Sequence, residues 1–154
     1  GKDTRGIFRV HQFDKVEMFA WTEPDKSDDE HARLLGIEEQ LVGDLGIPYR
    51  VVNVAAGDLG AAAVKKYDIE GWLPSEQRYR ELTSCSNYRD FSARRLDTRV
   101  KTDQGSRFVH TLNGTACAIG RTLVFLWEHY QEDGALVVPD VLRPYTGFER
   151  VSRP

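Results

Sequence analysis

The chain has 154 residues, of which 40% are hydrophobic and 29% are charged. These proportions are ordinary for a globular domain and unlike those of a disordered chain. The net charge of −3 argues against binding of nucleic acid through the overall field of the protein, although it does not exclude a local basic patch. No apolar run approaches the roughly 20 residues of a membrane span. The two cysteines lack zinc-ligand spacing, and a reduced, cytoplasmic protein is expected.

A strand is predicted first, over residues 7–20, where β-branched and aromatic residues are mixed with charges. A helix is predicted next. Ser27 and Glu30 have the spacing of a capping box at its start, and Gly46 and Pro48 end it. Large aliphatic residues recur between them at helical spacing, namely Leu34, Ile37, Leu41 and Leu45.

The rest of the chain is predicted to be mostly strands, with helices at intervals. The predicted strands span 49–55, 67–73, 79–87, 94–101, 107–111 and 135–138, and the predicted helices span 61–66 and 116–130. Residues 102–106 are typical of a hairpin loop. Many strands in succession favour an α+β domain with a mainly antiparallel sheet. There is no glycine-rich GxGxxG or GxxxxGK[ST] phosphate loop, so any nucleotide must be held by another architecture.

Three residues of the first predicted strand form the first candidate site. Arg9, Phe13 and Glu17 share strand parity, so a regular strand would project them from one face. Such a row could present a cation, an aromatic ring and a carboxylate to one elongated ligand. Spacing alone favours the simpler interpretation, which is a sheet face with solvated charges and one buried ring.

A second candidate lies in the segment Glu81-Leu82-Thr83-Ser84. Glu81 and Thr83 share a face if the segment is extended, and Ser84 follows directly. A carboxylate with hydroxyl groups is suited to Mg²⁺, which prefers oxygen ligands and retains several waters. Taken alone, the segment is better described as a polar strand whose hydroxyls are satisfied locally.

Arg121 is the third candidate, because it stands inside an apolar segment. An arginine is almost never fully buried without a partner, so this one must reach the surface or meet an anion. Asn113 and Thr115, just upstream, place an amide and a hydroxyl near the same end. A ligand contact and a structural ion pair are equally good interpretations of Arg121. No Ser/His/Asp or Cys/His arrangement favours a covalent nucleophile.

Several blocks of the sequence together resemble the bacterial-type seryl-tRNA synthetases, which are class II aminoacyl-tRNA synthetases. No single block is specific, but they occur in the family's order along nearly the whole chain. The blocks are residues 9–17 (RVHQFDKVE, the later arm of motif 2), 57–60, 66–74, 79–87, 93–95, and 110–122 (motif 3).

The resemblance implies a class II fold, with an antiparallel sheet flanked by helices, and implies the role of each candidate residue. Glu17, Thr115 and Asn113 would bind serine. Arg9 and Arg121 would act at the phosphates as catalytic residues. The ATP-binding residues would be Val10, Phe13, Glu81, Leu82, Thr83, Ser84 and Arg121, and Glu81 and Ser84 would also hold Mg²⁺.

The implied reaction joins serine and ATP to give seryl-adenylate and pyrophosphate, followed by transfer of the seryl group to the 3′ end of tRNA(Ser). The resemblance also implies that residues 1–154 are part of a catalytic domain, from the second arm of motif 2 onward. Motif 1 and the tRNA-binding coiled coil would lie in the rest of a homodimeric, cytoplasmic enzyme. The fragment alone is expected to be a poor catalyst. The alternatives are a paralogue that activates a small amino acid for an acceptor other than tRNA, and a non-catalytic homologue.

Overall fold

The computed structural model describes residues 4–152 and confirms the α+β prediction. A five-stranded antiparallel sheet has the order β1-β7-β4-β3-β2. Its strands are β1 (Lys15–Thr22), β2 (Tyr49–Asn53), β3 (Lys65–Leu73), β4 (Arg78–Asn87) and β7 (His110–Ala118). The antiparallel pair β5 (Arg99–Thr102) and β6 (Gly105–Phe108) forms the predicted hairpin. A small third sheet contains β8 (Gln131–Glu132), β9 (Ala135–Val137) and β10 (Arg150–Val151).

The helices are α1 (Ser27–Asp44), α2 (Phe91–Leu96), α3 (Ile119–Tyr130) and the short α4 (Arg143–Thr146). Helices α1 and α3 cover one face of the large sheet and leave the other face open to the clefts described below. The main core lies beneath them, where Val42 of α1 and Phe125 of α3 meet Ile69, Leu73 and Leu82 of the sheet. No helix within residues 4–152 is both long enough and apolar enough to cross a membrane.

Helix α1 has the predicted extent, but the start and the buried face differ from the prediction. Lys26 is the N-cap residue and gives no side-chain cap, so the capping box does not form. The Ser27 hydroxyl instead donates to the Pro24 carbonyl oxygen and pairs with His110. Leu41 is 40% exposed. The face that packs on the sheet contains His31, Leu34, Glu38 and Val42.

Four other predictions of secondary structure were wrong. Residues 7–14 form bends before β1, and the alanine-rich segment 61–64 is a turn. Residues 91–96 form α2, where a strand was predicted from residue 94. Helix α3 starts at Ile119 and not at residue 116, because Cys117 and Ala118 extend β7 by pairing with Val16 and Lys15.

Candidate active site

A cleft of about 210 Å³ opens beside the middle of β4; we call it the central cleft. The bent segment before β1 forms one wall, the middle of β4 forms another, and the start of α3 closes one end. Three of its charged side chains are cations and one is a carboxylate, which favours a polyanionic ligand. The lining residues are Ile7, Phe8, Arg9, Val10, Phe13, Lys15, Glu81, Leu82, Thr83, Ser84, Thr115, Ala118, Gly120 and Arg121.

The structure brings together all of the residues that the sequence assigned to ATP and its phosphates. Arg9, Val10 and Phe13 come from the bent segment, Arg121 comes from α3, and the segment 81–84 comes from β4. Arg9 and Phe13 are not in a strand, so the predicted row along one strand face is wrong. They reach the same cleft because the bent segment folds over it. The Phe13 ring is 53% exposed, which leaves its face open for stacking.

A β-bulge in β4 decides which side chains face the central cleft. Glu81 pairs with Glu70 and Thr83 with Ile69, so Leu82 is the extra residue. The prediction that Glu81 and Thr83 share a face is therefore wrong. The Thr83 hydroxyl donates to Glu38 behind the sheet, while Ser84 lies at the cleft with Glu81. The bulge places one carboxylate and one hydroxyl side by side on the open face.

Arg121 lies at the cleft wall and is held there by two kinds of contact. Its guanidinium donates to the Glu81 carbonyl oxygen at 2.9 Å and lies 4.7 Å from the centroid of the Phe8 ring. The Arg80 guanidinium is 4.1 Å from the same ring centroid. Phe8 also contacts Phe125 of the core edge to face, with centroids 6.3 Å apart. This geometry favours the ligand-contact interpretation of Arg121, because its guanidinium faces the same cleft as Glu81.

Glu17 is the hydrogen-bonding centre of a second, wider cleft of about 570 Å³, which we call the side cleft. Its carboxylate accepts hydrogen bonds from Asn113 Nδ2 at 2.6 Å and from the Thr115 hydroxyl at 3.1 Å. Lys15 Nζ lies 2.7 Å from the same carboxylate. Lys15 and Ser84 line both clefts, so the two clefts adjoin. The three residues predicted to bind serine therefore lie together, next to the predicted phosphate site.

The local fold explains why these three side chains meet. Glu17 of β1 pairs directly with Thr115 of β7, after a bulge between Val16 and Glu17. Asn113 lies two residues earlier on the same strand, so its side chain projects from the same face. Glu17 and Asn113 both line the side cleft, so this carboxylate faces the cleft.

Sequence reasoning missed a buried carboxyl group behind the sheet. Glu38 of α1 is 0% exposed, and its carboxyl accepts a hydrogen bond from the Thr83 hydroxyl at 2.7 Å. The pKa of Glu38 is raised to about 7, chiefly by burial and also by the nearby charges of Glu17 and Asp68, against the opposing effect of the Thr83 hydrogen bond. The sequence did contain a signal of this burial, because Glu38 stands at helical spacing from Leu34 and Val42, on the face that packs against the sheet.

Two other charged residues near the site were given no specific role by the sequence. Lys15 forms the ion pair with Glu17, although its charge within a β-rich segment was visible in the sequence. Asp68 of β3 pairs with Ser84 of β4 and forms an ion pair with Lys66 at 2.9 Å. Burial raises the pKa of Asp68, Lys66 opposes that rise, and the Glu81 charge adds to it. Asp68 therefore belongs to the electrostatic surroundings of Glu81, for which the sequence offered no specific signal.

The histidines and cysteines occupy structural positions. His31 is fully buried, where it pairs with the Cys85 carbonyl oxygen at 3.0 Å and stacks on Tyr67. Burial lowers the pKa of His31. Half-buried His129 pairs with the Trp72 carbonyl oxygen at 2.9 Å. Burial raises the pKa of the Cys85 thiol to about 12, so it is protonated at neutral pH and is a poor nucleophile.

Comparison with known proteins gives a consistent result. Residues 1–130 match the family model described as tRNA synthetase class II core domain (G, H, P, S and T). The chain is 52% identical over 153 residues to a serine–tRNA ligase of Thermoplasma acidophilum, covering 99% of this chain and 35% of the relative. It is 55% identical over 148 residues to that of Thermobifida fusca, covering 96% and 35%. The chain therefore spans about a third of the length of these curated relatives.

Two solved structures of seryl-tRNA synthetases also superpose closely on this chain. A crystal structure of seryl-tRNA synthetase from Pyrococcus horikoshii complexed with ATP superposes with a TM-score of 0.94 and 48% identity, covering 100% of this chain and 35% of that one. A cytoplasmic serine–tRNA ligase from Naegleria fowleri in complex with AMP superposes with a TM-score of 0.92 and 45% identity, covering 99% and 37%. The class II fold expected from the sequence is confirmed.

Proposed function

The chain belongs to the tRNA synthetase class II core domain family, and we propose that it forms the serine- and ATP-binding part of a serine–tRNA ligase active site. The observation that carries the proposal is the pair of adjoining clefts. One combines cations, an open aromatic ring and oxygen donors. The other is centred on a carboxylate held by an amide and a hydroxyl. The names of the relatives point to serine and tRNA as substrates.

Serine is proposed to bind at Glu17, where the carboxylate attracts the ammonium group of the amino acid. Asn113 and Thr115 hold this carboxylate in place and offer further polar contacts to a small side chain. Alanine would leave these polar groups unpaired, so it should bind much more weakly than serine. Lys15 already pairs with Glu17, so serine must share this carboxylate with Lys15 or displace it.

ATP is proposed to occupy the central cleft. Phe13 offers an open ring on which adenine can stack, with Val10 beside it. Arg9 and Arg121 line the same cleft, and arginine is well suited to phosphate oxygens. The cleft is therefore expected to hold adenine by stacking and the phosphates by charge.

The donors at the β4 bulge fit Mg²⁺. Glu81 supplies a carboxylate and Ser84 a hydroxyl, and Mg²⁺ commonly takes one or two protein oxygens and completes its shell with water and substrate phosphates. No group of three or more His, Cys, Asp or Glu residues within 4–152 is placed to hold a metal by itself. A bound Mg²⁺ would neutralise negative charge on the departing pyrophosphate.

The chemistry proposed for the site is in-line attack of the serine carboxylate on the α-phosphate of ATP. The serine carboxylate is itself the nucleophile, so the protein contributes mainly by placing the two substrates next to each other. Arg9 and Arg121 are proposed to stabilise the charge that builds up on the phosphates. The products are seryl-adenylate and pyrophosphate, and the seryl group then passes to the 3′ end of tRNA(Ser).

The activity as a whole is proposed for the intact protein that carries this chain. In that protein we expect a cytoplasmic homodimer, with the tRNA-binding coiled coil and motif 1 outside these residues. Residues 1–154 alone are expected to turn over poorly, because the relatives they match are about three times as long.

Amino-acid-dependent ATP–pyrophosphate exchange on the intact protein is the experiment that tests this function. Serine, threonine, alanine and glycine are compared, and exchange is expected with serine alone. Glu17→Gln should abolish it by removing the charge that binds the ammonium group. Glu23→Gln is the matched control, because Glu23 lies on the surface in an ion pair with Lys26 and should not affect exchange.

Pyrophosphate exchange, together with an assay of tRNA charging, distinguishes the alternatives. Exchange with serine but no charging of tRNA would indicate a paralogue with another acceptor. A folded protein that exchanges with none of the four amino acids would indicate a non-catalytic homologue. Preference for an amino acid other than serine would refute the assignment of the side cleft.

A further inference from the structure

Glu38 is a charged residue placed where an apolar one would be expected. It lies on α1 between the buried residues Leu34 and Val42, and it is 0% exposed. The helix packs on the face of the sheet opposite the two clefts. Among the residues that the structure describes, Glu38 is not part of the lining of either cleft. Any effect of Glu38 on a ligand must therefore pass through the strands.

The first strand that Glu38 contacts is β4. One carboxyl oxygen, Oε2, accepts the 2.7 Å hydrogen bond from the Thr83 hydroxyl, and both residues are buried. Thr83 stands between the proposed oxygen donors Glu81 and Ser84, at the bulge that turns those two residues toward the central cleft. Fixing Thr83 against α1 therefore fixes the direction in which Glu81 and Ser84 project.

The second strand that Glu38 contacts is β7. The other oxygen, Oε1, lies so close to Gly114 that a Cβ atom at that position would be only 2.5 Å away. Oε1 is buried and forms no hydrogen bond with any residue that the structure describes, although the nearby backbone N–H of Thr115 opposes the rise in the pKa of Glu38. Gly114 stands between Asn113 and Thr115, the two residues that donate hydrogen bonds to Glu17.

We infer that Glu38 is a positioning residue that holds the ATP-binding segment of β4 and the serine-binding segment of β7 in one fixed relation. This inference rests on the proposed function, because the two segments are subsites only if ATP and serine bind there. The carboxyl group is suited to the role, since its two oxygens reach two neighbouring strands at once. The reaction joins a serine oxygen to a phosphorus of ATP, so a small change in the spacing of the subsites lowers the rate.

Four variants of the intact protein test the inference. Glu38→Leu keeps the buried volume but removes the hydrogen bond to Thr83 and the oxygen that packs against Gly114. Glu38→Gln keeps an oxygen that can accept from Thr83. The double variant Glu38→Leu/Thr83→Val removes both members of the buried pair, which restores stability because no polar group is left unpaired. Glu39→Gln is the matched control, since it makes the same change one position along α1, where Glu39 accepts from Tyr49.

The readout is pyrophosphate exchange, with kcat and the KM values for serine and ATP measured for each variant. We expect Glu38→Leu to lower kcat/KM for both substrates at least about tenfold, the size typical of lost supporting contacts at a site. Glu38→Gln should retain most activity, and Glu39→Gln should match the wild type. The decisive variant is the double one, which should regain the thermal midpoint but not the kinetics. Recovery of kinetics together with stability would overturn the inference, because Glu38 would then be merely structural.

Hydrogen exchange measured by mass spectrometry separates failure of this inference from failure of the proposed function. If the wild type shows no serine-dependent exchange of pyrophosphate, the proposed function fails. The claim that Glu38 positions both segments is then tested by the rate of hydrogen exchange at the backbone amides of residues 81–84 and 113–115. Faster exchange in both segments of Glu38→Leu, with the rest of the sheet unchanged, supports the coupling. Unchanged protection in either segment overturns it.

Discussion

Replacement of Glu38 by glutamine should change how the stability of the protein depends on pH. Burial raises the pKa of Glu38 from 4.5 to about 7, and the charges on Glu17 of β1 and Asp68 of β3 act in the same direction. The hydrogen bond from Thr83 of β4 and the backbone N–H of Thr115 on β7 oppose the rise. The buried thiol of Cys85, also on β4, is protonated throughout this range.

The sign of the effect follows from proton uptake. Because the folded-state pKa lies above the unfolded-state value, the folded protein binds more protons than the unfolded chain between pH 4.5 and about 7. The free energy of unfolding therefore decreases as pH rises through this interval. A rise of this size corresponds to roughly 3 kcal/mol, at about 1.4 kcal/mol for each pH unit. Glutamine does not ionise, so the free energy of unfolding of Glu38→Gln should not show this decrease with pH.

Guanidinium unfolding at pH 4 and at pH 8 measures the effect. The free energy of unfolding of the wild type minus that of Glu38→Gln should fall by roughly 3 kcal/mol between the two pH values. Other groups titrate in both proteins, so their contributions cancel in this difference. Glu39→Gln on the same helix provides the comparison for a Glu-to-Gln change outside the core. A difference that stays constant between pH 4 and pH 8 would refute the claim that folding raises the pKa of Glu38.

Variants at three further positions test other parts of the structure. Phe13→Ala should raise the KM for ATP about tenfold or more while Phe13→Tyr does not, because stacking on a base contributes about 1–3 kcal/mol; equal KM values in exchange assays would exclude stacking. Lys15→Met removes the cation 2.7 Å from Glu17, so the KM for serine should fall and the KM for ATP should rise. If both KM values rose or both fell, the position of Lys15 between the two clefts would not explain its effect. Gly71→Ala places a Cβ 2.6 Å from Phe125 and should cost about 1–3 kcal/mol through overpacking, measured by guanidinium unfolding. An unchanged midpoint would show that the Phe125 ring moves aside freely.

The sequence predicted the elements whose local signals agree with their tertiary surroundings. Helix α1 and strands β2, β3, β4 and β9 lie close to their predicted positions. The errors arise where tertiary contacts override local preference. Residues 61–64 are rich in alanine, yet Val64 donates to the Asn87 carbonyl oxygen and leads into β3. Residues 7–14 have the composition of a strand, but they bend over the central cleft.

The candidate site was predictable only through the resemblance of whole blocks to a family. Spacing alone favoured a solvated sheet face for Arg9, Phe13 and Glu17. The prediction that these residues lie together on one regular strand was wrong, because Arg9 and Phe13 lie in the bent segment before β1. The bulge at Leu82, which turns Thr83 toward α1, leaves no mark in the composition of the segment. A bulge depends on how a strand pairs with strands that are distant in sequence. The sheet faces from which Glu81 and Thr83 project could therefore not be predicted from the alternation of side chains along the strand.

The burial of Glu38 shows where this sequence departs from the pattern of a simple amphipathic helix. At neutral pH the carboxyl group opposes folding, and a leucine at the same position would match Leu34 and Val42 on the helix face. Leucine alone, however, would leave the Thr83 hydroxyl buried without its acceptor. A helix made wholly apolar would still cover the sheet, but it would no longer fix β4 and β7 relative to each other. Helix α1 departs from the apolar pattern at Glu38, where it meets both proposed subsites. The positioning role inferred for Glu38, and not stability, accounts for a glutamate at this position.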